Sequence, residues 1–206
     1  MHRISFKIFF LIFINLLLLR NNLTAQEWVF RKERDSIKVY TRTEEDNPVK
    51  SYRGEMDLYT SMAKISTVLG SIESFDWWDA NIRDIKVLAY EKEKLIRYYL
   101  VYNLPWPVTD RDLCVEAKIT FDPVTGKRIV HAIPLDGVIP EKPDMVRIKN
   151  YWQDWTMQPA APGMIHVTLE GSVDPGGYIP AWLVNMVITD TPLNIMRKVR
   201  EKVEYK

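Results

Sequence analysis

Few side chains in this 206-residue chain have both the type and the spacing for covalent chemistry. His131 and His166 stand far apart, with no further ligand at metal-binding spacing around either, so neither marks a zinc site. Cys114 is the one cysteine, which excludes an internal disulfide. It falls inside an apolar run and reads as an inert core thiol, not a nucleophile. Gly-x-Ser-x-Gly does not occur, and no glycine-rich phosphate loop appears. The polar candidates left within apolar segments are Tyr98, Glu116, His166, Asp190 and the adjacent Arg111 and Asp112. Strand alternation sends Glu116 and His166 toward solvent. Arg111 and Asp112 open a strand and suit an internal salt bridge or hydrogen bonds to a neighbouring loop. Asp190 falls on an apolar helical stripe, where it would meet a ligand hydroxyl or a loop near Pro192. No catalytic constellation emerges, and no metal or cofactor is implied.

Residues 1–25 carry His2, Arg3 and Lys7, then an apolar run from Ile8 to Leu19, then Leu23-Thr24-Ala25. A basic start, an apolar stretch of about a dozen residues and a small residue at the break predict a secretory signal peptide. The run is short for a membrane span, which needs roughly 20 apolar residues. The expectation is export to a periplasmic or extracellular space, with residues 26–206 as one domain. Removing the leader takes away Arg3, Lys7 and Arg20 and moves the formal charge from +1 to −2. That balance argues against a nucleic-acid partner.

The rest of the chain alternates strand-like runs with turn signals. Strands are predicted over 28–33, 37–43, 49–58, 82–90, 95–104, 110–121, 128–135, 146–157 and 164–173. A short helix over 61–70 has Ser61 as its N-cap and Gly70 at its end. Residues 71–81 hold Phe75, Trp77 and Trp78 without a clean period, as a short helix or packed loop. A long helix is expected over 179–202, started by Pro180 and kinked or loosened at Pro192.

About nine antiparallel strands and one long helix pose a geometric problem, because a flat sheet of that size would leave apolar surface uncovered. The sheet must curl around the helix, and such sheets tend to enclose space. Leu113, Val115, Ala117, Ile119 and Phe121 are expected to face that space, with Tyr98 as a polar group nearby. Met157, Met164, Met186 and Met196 offer adaptable apolar surface. Leu183, Met186, Val187, Asp190, Leu193 and Met196 recur at steps of three or four and form the expected inner helix face. Trp77 and Trp78 would gate or line the space. Arg197, Lys198, Arg200 and Lys202 crowd the final turns, where they suit the helix dipole or an anionic membrane.

Three segments carry a resemblance. They are Asn-Leu-Pro-Trp-Pro-Val-Thr-Asp-Arg-Asp over 103–112, the pair Trp77-Trp78 before a strand, and Gly-Gly-Tyr-Ile-Pro-Ala-Trp-Leu-Val-Asn over 176–185. The chain resembles the steroidogenic-acute-regulatory-related lipid transfer (START) domains of the helix-grip superfamily, over 28–203. The resemblance implies an α+β helix-grip fold, a curved antiparallel sheet wrapped around a long C-terminal helix. It also implies binding, with transfer or sensing, of one lipid or sterol in an internal tunnel. Two features depart from the family pattern: little chain precedes Trp28 after leader removal, and no buried acid–base pair can be placed in the tunnel. The site expected from these readings comprises Trp77, Trp78, Tyr98, Leu113, Val115, Ala117, Met164, Leu183, Met186, Val187 and Asp190. The expected partner is a small hydrophobic ligand, with transient membrane-surface contact and a monomeric state. The alternative is a cyclase or aromatase type of enzyme, using Asp190, Tyr98 or Arg111 for proton transfer.

Overall fold

The computed structural model describes residues 27–71 and 81–204. The segment read as a leader and the Trp77-Trp78 pair lie outside the described residues. Strands β1 (Val29–Arg34) and β2 (Ile37–Arg42) form a hairpin. Its two-residue turn places Asp35 and Ser36 at φ 53° and 55°, the positive values that match the strands' twist. After β3 (Ser51–Tyr59), α1 (Met62–Leu69) starts at Ser61, whose hydroxyl accepts from the Lys64 N–H at 3.2 Å. The chain continues through β4 (Ile82–Glu91), β5 (Leu95–Tyr102), β6 (Arg111–Phe121), β7 (Arg128–Pro134), the short β8 (Val146–Arg147), β9 (Asn150–Ala161) and β10 (Met164–Asp174). It ends in two helices, α2 (Ala181–Val187) and α3 (Asp190–Glu204).

The strands run in the order β1-β2-β3-β10-β9-β7-β6-β5-β4, each neighbour antiparallel, and β8 adds a parallel pairing to β6. This is an α+β fold with a curved sheet carrying a C-terminal helix, as the strand count predicts. Two boundaries differ from expectation. The single strand expected over 146–157 is divided, because 146–147 pair with β6 while 150–161 pair with β10 and β7. The loop expected over 158–163 is mostly strand, and β9 runs to Ala161. Pro159 lies beyond the β7 pairing, which reaches only Met157, in the stretch where β9 is bordered by β10 alone.

The C-terminal helix is interrupted ahead of Pro192, the loosening expected there. Helical structure stops after Val187 and resumes at Asp190. Pro192 explains the position: it has no N–H for the carbonyl four residues back, and its ring crowds that carbonyl, which belongs to Ile188. Beyond the break, α3 buries Pro192, Leu193, Met196, Val199 and Val203. These pack on Val39, Met56, Leu58, Trp155, Val167 and Leu169 from the sheet. Gly54 lets the helix approach this closely. A Cβ there would lie 2.3 Å from the Met196 sulfur and 3.0 Å from Pro192 Cβ. Among the described residues, no helix is long and apolar enough to cross a membrane.

Candidate functional site

Period-two alternation gives the inner wall its residues. β5 turns Ile96, Tyr98 and Leu100 inward, opposite Ala117, Val115 and Leu113 of β6. β9 adds Tyr151, Gln153, Trp155 and Met157. Two cavities lie against this wall. The first, about 40 Å³, sits between the sheet and the end of α1, against Ser66, Leu69, Ile96, Ala117 and Val130. The second, about 70 Å³, reaches α3 at Thr191 and Ile195 and is lined by Tyr52, Leu100, Tyr102 and Leu113. Tyr98, Gln153 and Trp155 line both and stand between them. Each would hold a few water molecules.

The partition is polar. The Gln153 amide donates to the Tyr52 hydroxyl at 3.1 Å, and the Tyr151 hydroxyl donates to the Gln153 carbonyl oxygen at 3.4 Å. The Tyr98 and Tyr151 hydroxyls bond to each other. Gly171 makes room for this cluster, since a Cβ there would lie 2.6 Å from the Tyr52 hydroxyl. Burial pushes the Tyr52 phenol up to about 12, partly offset by the Gln153 hydrogen bond. Burial likewise raises Tyr98 and Tyr151 well above the ordinary tyrosine value. All three therefore stay protonated near neutrality, as uncharged donors and acceptors within an apolar enclosure.

The sheet residues expected at the site reach it. Tyr98, Leu113 and Ala117 line the cavities, and Val115 is buried between them in the same cluster. Phe121, at the far end of β6, is instead 54% exposed. Met164 alternates out of phase with the buried Ile165 and Val167, pairs with the exposed Tyr59, and lies away from both cavities.

The expected helix face is corrected more thoroughly. Leu183, Met186 and Val187 are exposed, and α2 contains no buried residue. Asp190 also points away from the interior and pairs with Lys32 at 2.5 Å. The expected stripe drifts, because repeated steps of three fall behind the helical period, and at 100° per residue Val187 and Met196 lie half a turn apart. Ala181, Val184, Ile188, Pro192, Ile195 and Val199 keep one phase and face the core instead. Ile188, Thr191 and Ile195 take the inner positions.

Arg111 and Asp112 are both buried but do different work. Arg111 donates from Nε to the Pro175 carbonyl and from one terminal nitrogen to the Gly176 carbonyl, each at 3.1 Å, and from the other to Thr109. It thereby ties the corner over 103–110 to the turn before α2. Asp112 faces the opposite side of β6, where Arg147 donates to both carboxylate oxygens at 2.8 and 2.9 Å and Tyr99 adds a bond at 3.1 Å. Arg147 also holds the Ile139 carbonyl at 3.1 Å. The loop over 134–143 is thus fastened to the outer face over Tyr99, Val101 and Cys114. The buried acid–base pair lies outside the cavity. Burial disfavours the Asp112 carboxylate, but the Arg147 hydrogen bonds and charge prevail and hold it below its ordinary range.

Tyr52, Tyr151 and Gln153 escaped the sequence reading. The available signal was Gln153 itself, a polar residue at an inward position between Tyr151 and Trp155.

The START domain family model matches residues 11–206. An uncharacterised protein of Pseudomonas aeruginosa is 29% identical over 184 residues, covering 89% of this chain and 90% of that one. The mouse phosphatidylcholine transfer protein is 23% identical over 184 residues, covering 85% and 83%. The crystal structure of a STAR-related lipid transfer protein from Xanthomonas axonopodis superposes with a TM-score of 0.78 at 28% identity, covering 86% of this chain and 99% of that one. Sheet order, C-terminal helix and family match agree: the chain belongs to the START domain family.

Proposed function

We propose that the chain binds one lipid molecule between the curved sheet and α3, in a space formed when the two cavities join, and carries it through water. The observation that carries this reading is the inner wall: apolar residues from five strands, interrupted by the neutral Tyr52–Tyr98–Tyr151–Gln153 cluster. Binding sites for small molecules usually span roughly 300–1,000 Å³, so loading requires the partition to yield and the helical cover to shift. Burial of acyl surface at about 25 cal/mol per Å² supplies the driving force.

Helix α2 is the segment suited to move. It buries no side chain and is bounded by the break at Ile188 and by Gly176 and Gly177, at φ 65° and 66°. Its exposed Trp182, Leu183, Met186 and Val187, with Tyr178 ahead, form an uncharged apolar surface suited to transient contact with a membrane interface. The protein acts as a monomer and is exported through residues 1–25.

The enzyme alternative loses support from its own candidates. Asp190 is paired outside the cavity, Arg111 is spent on carbonyls, and the Tyr98 phenol is raised away from neutrality. Native mass spectrometry of protein purified from its own host tests the carrier reading. A co-purifying lipid mass is expected; a persistent apo mass, together with no uptake from vesicles, would overturn it. The mature N-terminus read from the same spectra checks leader removal.

A further inference from the structure

The first cavity is lined by a cation, Arg128, that the described residues do little to neutralise. Arg128 begins β7, and alternation aims it inward with Val130 and Ala132, both of which line the same cavity. Its side chain is only 13% exposed. Its ion pair is a long one, 3.7 Å to a Glu93 carboxylate whose side chain is 62% exposed. The exposed Phe121 ring lies 5.6 Å from the guanidinium carbon. Arg128 Nε is shut off from solvent and has no hydrogen-bond partner. Ser66 Oγ is in the same condition and lines the same cavity. Thr60 Oγ1 is the third such atom among the described residues, so two of the three meet in one small space.

Native proteins rarely leave buried polar atoms without partners, and a buried charge is the costliest to leave so. Among the described residues lining either cavity there is no carboxylate. The missing partner is therefore an acceptor that the described chain does not provide, and only a negative one offsets the charge.

We propose that Arg128 and Ser66 form a subsite for the anionic oxygen head, carboxylate or phosphate, of an amphiphilic lipid. Its hydrocarbon runs past Tyr98, Gln153 and Trp155 toward α3. The inference rests on the lipid-binding reading above and adds the head-group class and its place.

The test equilibrates the full-length protein with equimolar oleic acid and methyl oleate, and separately with dioleoyl phosphatidic acid and dioleoylglycerol. Protein is reisolated by gel filtration and its extracted lipid quantified. Wild type should prefer the anionic member of at least one pair by about tenfold, the scale of a charge-assisted hydrogen bond. Whichever pair shows the preference identifies a free carboxylate or a phosphate as the source. Arg128→Met should abolish the preference while neutral uptake persists, Arg128→Lys should keep part of it, and Ser66→Ala should reduce it several-fold. The wild-type comparison needs no variant, so it decides the matter even where Arg128→Met fails to fold. Equal uptake within both pairs, or a preference unchanged in a folded Arg128→Met, overturns the subsite while leaving lipid binding intact. Uptake of none of the four lipids overturns both.

Discussion

Asp112 and Gln153 are polar residues on opposite faces of one sheet, and burial gives them different consequences. Asp112 serves as an internal fastening, fully withdrawn from water and bonded twice by Arg147. Asp112→Asn leaves the Arg147 charge without its partner, and about 3–5 kcal/mol of stability should be lost in neutral-pH denaturant unfolding. A carboxylate depressed on folding contributes stability that is complete above its unfolded value of about 3.9 and drains away as pH falls through the folded value. The gap between wild type and Asp112→Asn should therefore close below that pH; a constant gap would assign the loss to packing. Gln153 instead holds two phenols at the partition between the cavities. Gln153→Leu strands the Tyr52 hydroxyl at about 1–3 kcal/mol and leaves Tyr151 with its Tyr98 bond alone. Its melting temperature should fall further in delipidated protein than in lipid-loaded protein, because a ligand oxygen can replace the lost partner. An equal fall in both states would place the bound lipid away from the cluster. Tyr98, Leu113 and Ala117 were legible in the sequence because each sits in a strand of unbroken alternation. Gln153 was legible in principle, as a polar residue at an inward position between Tyr151 and Trp155.

At the scale of elements, the strands and the C-terminal helix were largely predictable, and the inward face of that helix was not. Period two survives small boundary errors, so β5 and β6 put their residues where alternation sent them. A helix stripe depends on phase, and the steps of three linking Leu183, Met186, Val187 and Asp190 to Leu193 and Met196 drift round the helix, so the first four face outward. The feature that sets helix against sheet is the absence of a side chain at Gly54, and no periodicity announces it. Gly54→Val forces β3 and α3 apart where a Cβ would already meet Met196 and Pro192. Overpacking of this kind should lower stability by about 1–3 kcal/mol. Combining it with Met196→Ala should recover part of the loss in a double-mutant cycle. Additive losses would show that the two sites do not share this contact.

For the whole molecule, the two cavities are separated by side chains and covered by helices, so access must come from a segment that can leave without dismantling the sheet. The outer loop over 134–143 is excluded by the Arg147 fastening, and α3 is excluded by its deep burial. Helix α1 lines the first cavity, and α2, which lines neither, is the helix with no buried residue. It is held to the sheet side by Ala181 and Val184 against the core and by Asn185. The Asn185 side chain accepts from the Lys50 N–H and donates to the Pro48 carbonyl, each at 2.9 Å. Removing two hydrogen bonds of about 0.5–1.5 kcal/mol each should raise the open population by roughly five- to 150-fold. Asn185→Ala should then accelerate amide exchange over 181–187 and lipid movement between vesicles, while exchange in β9 and β10 stays as in wild type. The cover need only loosen locally for this to occur, since β9 and β10 are central strands paired along both edges. Faster exchange in α2 without faster lipid movement would mean that the partition at Tyr98, Gln153 and Trp155, not the helix, sets the rate.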